Sequence, residues 1–175
     1  HRPNPIVQMG LFMDGDGIPL AFSITKGNTN EQVTLKPLEE KILSDFSLSK
    51  FAVCTDAGLA SNANRKFNDK GDRAFITTQP IKKLKAFLRE WAIDPTGWRL
   101  GDDGKNYDLR NLDESFFKEK VFYKERWVKE NGLEQKLIVT YSIKYRNYQR
   151  NIRDNQIERA IKVLDQNPKK LKMEK

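Results

Sequence analysis

The apolar positions change period several times along the chain, and each change marks an element. Ile6 to Met13 and Ile18 to Thr25 are strand-like apolar runs joined by Asp14-Gly15-Asp16-Gly17, a glycine-rich link of the kind that closes a β-hairpin. The link also begins like a calcium loop. Such a loop needs a bidentate Glu at its twelfth place, and counting from Asp14 that place is Thr25, so the link reads as a turn. Leu35, Leu38, Ile42 and Phe46 then recur at steps of three and four, predicting a helix from about Gln32 or Leu35 to Phe46 with one face on a sheet. Thr29 with Gln32 has capping-box spacing, and Pro37 is tolerated only in a first helical turn. Asn28 and Asn30, just before, suit turn and cap roles better than functional contacts.

Phe51 to Cys54 is a short apolar run of the kind a fully covered strand shows, and Asp56 stands where that strand leaves the sheet. Gly58 permits a sharp turn, Ser61 suits the N-cap of a helix over Asn62 to Asn68, and Gly71 suits its end. In open α/β sheets ligands collect beyond the carboxyl ends of strands, where Asp56 is placed. An Asp after a strand is also a common turn or capping residue, and both readings stay open here. Arg73 to Thr78 is another strand, closed by Gln79-Pro80. The order strand, strand, helix, strand, helix, strand predicts an α/β fold: a mixed sheet with helices on its faces.

Beyond Pro80 the character changes. Lys82 to Trp91 reads as a basic amphipathic helix with Leu84, Phe87, Leu88 and Trp91 on one stripe. Asp94-Pro95-Thr96-Gly97 and Gly101 to Lys105 are loops. Lys120 to Lys129 and Glu134 to Ser142, around Glu130-Asn131-Gly132-Leu133, predict a second β-hairpin. Tyr145 to Gln166 predicts a long basic helix presenting Arg146, Arg150, Arg153, Arg159 and Lys162, with Ile152, Ile157, Ala160, Ile161 and Leu164 towards a partner, and Asn167-Pro168 ends it. The lysine-rich tail after it is expected to fray. The predicted organisation is residues 1–80, a sheet-based core, and 81–175, a basic region of helix, hairpin and long helix.

Charge sharpens this division. The 175-residue chain carries a net +8. Residues 1–80 hold nine Lys/Arg against nine Asp/Glu, whereas residues 81–175 hold 23 against 15. A neutral half joined to a basic half suits a core with a polyanion-gripping appendage, although a basic solvated surface gives the same count. No apolar run reaches membrane-spanning length, and no membrane partner is expected. The lone Cys54 cannot form an internal disulfide and fits a reducing, cytoplasmic compartment. One Cys and one His cannot build a usual zinc site, so any metal must be held by oxygen. The opening His1-Arg2-Pro3-Asn4-Pro5 lacks a signal-peptide pattern and an initiator Met, so the chain is expected to begin inside a longer one.

Three segments, His1 to Leu35, Phe51 to Asn68 and Arg73 to Lys85, with weaker likeness over Tyr141 to Ala160, resemble DDE-type transposases of bacterial insertion sequences, whose catalytic domain has the ribonuclease H-like fold. The resemblance implies an incomplete ribonuclease H-like core followed by an insertion. It places Asp56, in its Asp-Ala-Gly turn, at the second of three metal-binding carboxylates. It further implies a pair of Mg²⁺ (or Mn²⁺) ions, double-stranded transposon-end DNA as partner, and a homodimer in the full-length protein. His1 and Arg2 match a turn that the family keeps near the active centre. The family's first Asp falls upstream of His1. Its third carboxylate, a Glu on a helix with Tyr, Arg and Lys at set spacing, has no counterpart here: Glu158 follows Arg153 by five residues, not four, and no Tyr precedes Arg153 by three. The 175-residue chain by itself is therefore expected not to nick DNA.

On this reading Arg146, Arg150, Arg153, Lys82 and Lys83 contact DNA phosphates, giving salt-sensitive affinity. Trp127, with Trp98, Tyr145 and Tyr148, is a candidate for stacking on an unpaired base. The alternative for Trp127 and Tyr123 is packing within the hairpin core. Two other function classes stand beside the enzyme: a non-catalytic nucleic-acid-binding remnant or domesticated fragment, and a host nuclease of the same fold, which would lack the long insertion.

Overall fold

The structure, a computed structural model, describes residues 6–48, 50–101 and 103–166. The resemblance at His1 and Arg2 and the fraying expected of the lysine tail lie outside the described residues. Among the described residues the architecture is mixed α/β, with two-stranded sheets and no closed barrel. The chain separates into two compact units, residues 1–89 and 90–175.

In the first unit β1 (Val7–Met13) and β2 (Pro19–Lys26) form the expected antiparallel hairpin. Asp14 closes its turn, with Oδ1 accepting the N–H groups of Asp16 and Ile18. A short 3₁₀ helix (Glu31–Val33) leads into α1 (Leu35–Asp45). Asn30, rather than Thr29, caps it: the Asn30 side chain accepts the N–H of Gln32 at 3.0 Å. β3 (Ala52–Thr55), α2 (Asn62–Asn68) and β4 (Ala74–Thr77) complete the unit. Ser61 caps α2 through the N–H of Asn64, as its sequence position predicts.

Two expectations fail. The strands do not join into one mixed sheet: β1–β2 and the parallel pair β3–β4 are separate two-stranded sheets. The backbone groups on their outer edges meet no further strand among the described residues. Nor is β3 covered on both faces. Val53 is buried beside α1 and α2, while Ala52 and Cys54 on the other side are exposed. The β1–β2 hairpin repeats this pattern, with Met9, Leu11, Phe22 and Ile24 all exposed on one face. Helices cover one face of each sheet only, so an apolar run that reads as doubly buried is half exposed.

The helix interface of this unit encloses a polar clasp. Glu39 on α1 and Asn68 on α2 are both 1% exposed, and Asn68 Nδ2 donates to both Glu39 carboxylate oxygens at 2.9 and 3.0 Å. Asn68 Oδ1 is left buried without a donor. Burial pushes the Glu39 carboxyl above its ordinary 4.5, against the opposing pull of the Asn68 hydrogen bonds and the Arg73 charge. The folded state thus retains a proton that the unfolded chain releases, so this group's contribution to stability is intact below about pH 4.5 and declines as pH rises through the folded-state value. Glu39→Gln removes the charge and supplies a donor for Asn68 Oδ1. We expect it to raise stability at pH 7 by about 1 kcal/mol, with the gain shrinking towards pH 4 in urea melts. A loss at pH 7 would show that the carboxylate itself is needed.

α3 (Ala86–Ile93) follows a 3₁₀ turn (Ile81–Lys83). The predicted helix beginning at Lys82 is corrected: Leu84 is extended (φ −69°, ψ 151°), so Lys82, Lys83 and Lys85 precede the helix. Its buried residues are Leu88 and Ala92, while Phe87 is exposed.

The second unit is built on the hairpin of β5 (Val121–Glu130) and β6 (Leu133–Ser142). Asn131 and Gly132 turn it with φ of 53° and 76°, the pair of positive angles that Asn-Gly supplies most readily. Arg99 bridges to Tyr123 on β5, and Trp98 to Tyr107. These place an aromatic cluster against the hairpin: Phe122, fully buried, has ring centroids of Tyr107 and Phe117 at 5.3 and 5.5 Å. The long helix, α4 (Ile143–Gln166), starts directly from β6, with Ser142 Oγ accepting the N–H of Tyr145.

Candidate functional site

Asp56 emerges from the C-terminal end of β3. Its Oδ1 accepts the N–H of Gly58 at 2.9 Å and of Leu59 at 3.3 Å, so its own turn sets the carboxylate's direction. Its carbonyl accepts the Thr77 hydroxyl at 3.1 Å, which in turn accepts the Thr55 hydroxyl at 3.0 Å. These bonds tie the turn to β4. Oδ2 has no partner among the described residues. The turn bonds therefore use one oxygen of the side chain and leave the other unengaged among the described residues.

A second carboxylate stands beside it. Glu31 opens the 3₁₀ helix that Asn30 caps. A Cβ at Gly58 would lie 3.0 Å from Glu31 Oε2 and 3.2 Å from Asp56 Oδ1. Both carboxylates thus crowd Gly58, where any side chain would displace one of them. From β1, Gln8 Nε2 reaches Glu31 Oε1 at 3.5 Å.

Asn64 holds the two loops together. It is 5% exposed, and its Nδ2 donates to the carbonyls of Gln32 at 3.0 Å and Leu59 at 2.9 Å. One buried amide thereby joins the loop of Glu31 to the turn of Asp56. Sequence reasoning missed both residues: Glu31 lies 25 positions from Asp56, and Asn64 reads as an ordinary member of a short helix. The available signal was its type, because Asn is a poor helix former that earns a helical position by bonding elsewhere.

The donors are all oxygen, which suits a hard cation such as Mg²⁺ or Mn²⁺. Among the described residues no three of His, Cys, Asp and Glu converge. Asp56 and Glu31 are thus the carboxylates this segment brings to the place.

The basic residues fall on both units. Lys82 and Lys83 are exposed on the 3₁₀ turn of the first unit, whereas Arg146, Arg150 and Arg153 lie on α4 of the second. Arg153 bonds the neighbouring Asp154 at 2.7 Å, and Arg150 is exposed. Arg146 is committed internally: it bonds Glu114 at 2.6 Å, Tyr141 Oη at 3.3 Å and Asn147 Oδ1 at 3.0 Å. Glu158 pairs with Lys162 at 2.7 Å on the exposed side of α4.

The aromatic candidates divide. Trp98 is 3% exposed and is corrected to a core residue, its Nε1 donating to the Asp94 carbonyl. Trp127 stands 63% exposed, with Lys136 Nζ 5.4 Å from its ring centre, so packing in the hairpin core is not its role. Tyr123, the other residue considered for that core, is half-buried. Tyr145 and Tyr148 are also exposed. Lys124 shows that basic sequence is not always basic surface. It is 4% exposed, donates to the Asp94 carbonyl at 2.7 Å and lies 4.6 Å from the Trp98 ring centre. Burial pushes its ammonium pKa down.

No protein-family model matches the chain, and neither the comparison with curated proteins nor that with solved structures gives a match.

Proposed function

We propose that the chain is part of a DDE-type DNA transposase, with the first unit a portion of a ribonuclease H-like catalytic core and the second a DNA-gripping insertion. The observation that supports this best is the Asp56 carboxylate at the end of β3: one oxygen is anchored by its turn, the other is unengaged, and Glu31 stands alongside. Asp56, with Glu31 beside it, would hold Mg²⁺ or Mn²⁺. When bound, such ions activate a water or 3′-hydroxyl for attack on a phosphodiester and stabilise the leaving oxygen.

The chain's own residues supply position. Asn64 fixes the spacing of the two loops, the Gly58 and Leu59 N–H groups aim Asp56, and the missing side chain at Gly58 leaves room between the carboxylates. Arg150 and Arg153, with Lys82 and Lys83 on the first unit, contact DNA phosphates, and Trp127 offers a stacking face. The partner is duplex DNA at transposon ends, and the working form is a homodimer. In the test, the complete product of the gene is incubated with duplexes carrying the element's ends, with Mg²⁺ or with chelator. Cutting confined to the Mg²⁺ arm is expected, and intact DNA in both arms would sink the enzyme reading.

The convergence of two carboxylates instead of three among the described residues favours a second reading, a nucleic-acid-binding segment without catalysis. That reading predicts salt-sensitive DNA binding and no cutting.

A further inference from the structure

Arg146, which heads the basic face of α4, is only 21% exposed, while the carboxylate on it, Glu114, is 59% exposed. The Glu114 Oε2 sits on Arg146 Nη2 at 2.6 Å, and Arg146 Nε and Nη1 are taken by Asn147 and Tyr141. The charges of Arg146 and Arg150 together hold the Glu114 carboxyl below its ordinary range, Arg146 through its hydrogen bond foremost. Arg150, one turn further along α4, is exposed and makes no ion pair among the described residues. Glu114 therefore stands where a backbone phosphate would stand: an oxygen anion on a guanidinium, next to a second cation.

We propose that Glu114 is a built-in competitor for polyanions on α4, and that a DNA phosphate displaces it to bind Arg146 and Arg150. This rests on the reading of the second unit as a DNA grip, and it identifies the affinity-limiting residue of that surface. A carboxylate and a phosphate oxygen satisfy guanidinium N–H groups alike. The carboxylate is on hand without loss of translational freedom, so it subtracts from whatever affinity the two arginines could give.

The experiment is fluorescence anisotropy of the full chain with a labelled 20-base-pair duplex at several salt concentrations between about 50 and 200 mM, the range in which phosphate contacts are most salt-sensitive. Glu114→Gln is expected to bind roughly three- to tenfold tighter, with the log–log salt slope steeper by about 0.9, the increment for one added phosphate contact. Glu134→Gln removes the same charge at the hairpin turn and serves as the control, expected to leave the slope unchanged. Adding Arg150→Gln to Glu114→Gln should cancel the gain. Far-ultraviolet circular dichroism of each variant confirms that it folds. If wild type binds and Glu114→Gln matches it or binds more weakly, Glu114 is only a brace for Arg146, and the inference falls while the DNA grip stands. If neither binds at any salt concentration, both fall.

Discussion

On the transposase reading proposed above, replacing Asp56 with Asn is expected to lower Mg²⁺-dependent cutting of DNA ends by the complete protein by about a thousandfold or more, with folding and DNA affinity unchanged. The substitution is nearly isosteric. Asn retains an oxygen to accept the N–H groups of Gly58 and Leu59, so the turn after β3 survives. What it lacks is the negative charge at the unengaged Oδ2 position. A metal that stabilises developing charge lowers the barrier by several kcal/mol, and about 4 kcal/mol is three decades in rate. The measurement is single-turnover cutting at saturating DNA, with affinity read separately by anisotropy. A variant that cuts within tenfold of wild type leaves Asp56 as a turn residue. A variant that loses DNA binding instead relocates Asp56 to the grip.

The second large effect is structural. Phe122→Ala is expected to cost about 3–5 kcal/mol, the range for deleting a buried aromatic ring. Phe122 is fully buried, within 5.3 to 6.5 Å of the Tyr107, Phe117 and Tyr141 ring centroids. Those rings come from a loop, from the segment before β5 and from β6, so they cannot collapse together into the space. A loss of this size is a large share of the 5–15 kcal/mol typical of a domain. Urea melts followed by the fluorescence of Trp98, 5.8 Å from Tyr141, report on this cluster. Phe116→Ala, at a residue 72% exposed, is the control and should cost below about 1 kcal/mol. Equal costs at the two positions would mean that the cluster is not the core of the unit.

Local signals carried most of the element list. The Asn131-Gly132 turn, the Ser61 cap, the three-and-four spacing of Leu35, Leu38 and Ile42 and the hairpin around Asp14 are each written within a few residues, and each appears where the sequence predicts it; Phe46, the last residue of that spacing, falls past the end of α1 and is exposed. The place of Asp56 at the end of a strand is a local pattern of the same kind, whereas its metal role was implied only by the family resemblance. The departures are those where local preference gave way. Leu84 has helical company on both sides yet is extended, so the basic helix starts later than its amphipathic spacing implies. Of the two cap candidates, Asn30 and not Thr29 takes the role, because its side chain is the one that reaches the N–H of Gln32.

Taken alone, the sequence determined the order and type of the elements, the neutral and basic halves, the absence of a zinc ligand set and the candidacy of Asp56. Tertiary structure decided which faces are covered: β3 is buried on one side only, Trp98 and Lys124 are inside, and Trp127 is outside. It also decided which charges meet, setting Glu31 beside Asp56 through the amide of Asn64 and Glu114 on Arg146, 32 residues away. Periodicity, caps and turns act over a few residues through backbone hydrogen bonds and side-chain spacing. Burial and charge pairing depend on chain segments brought together by packing, and no local pattern records those distances.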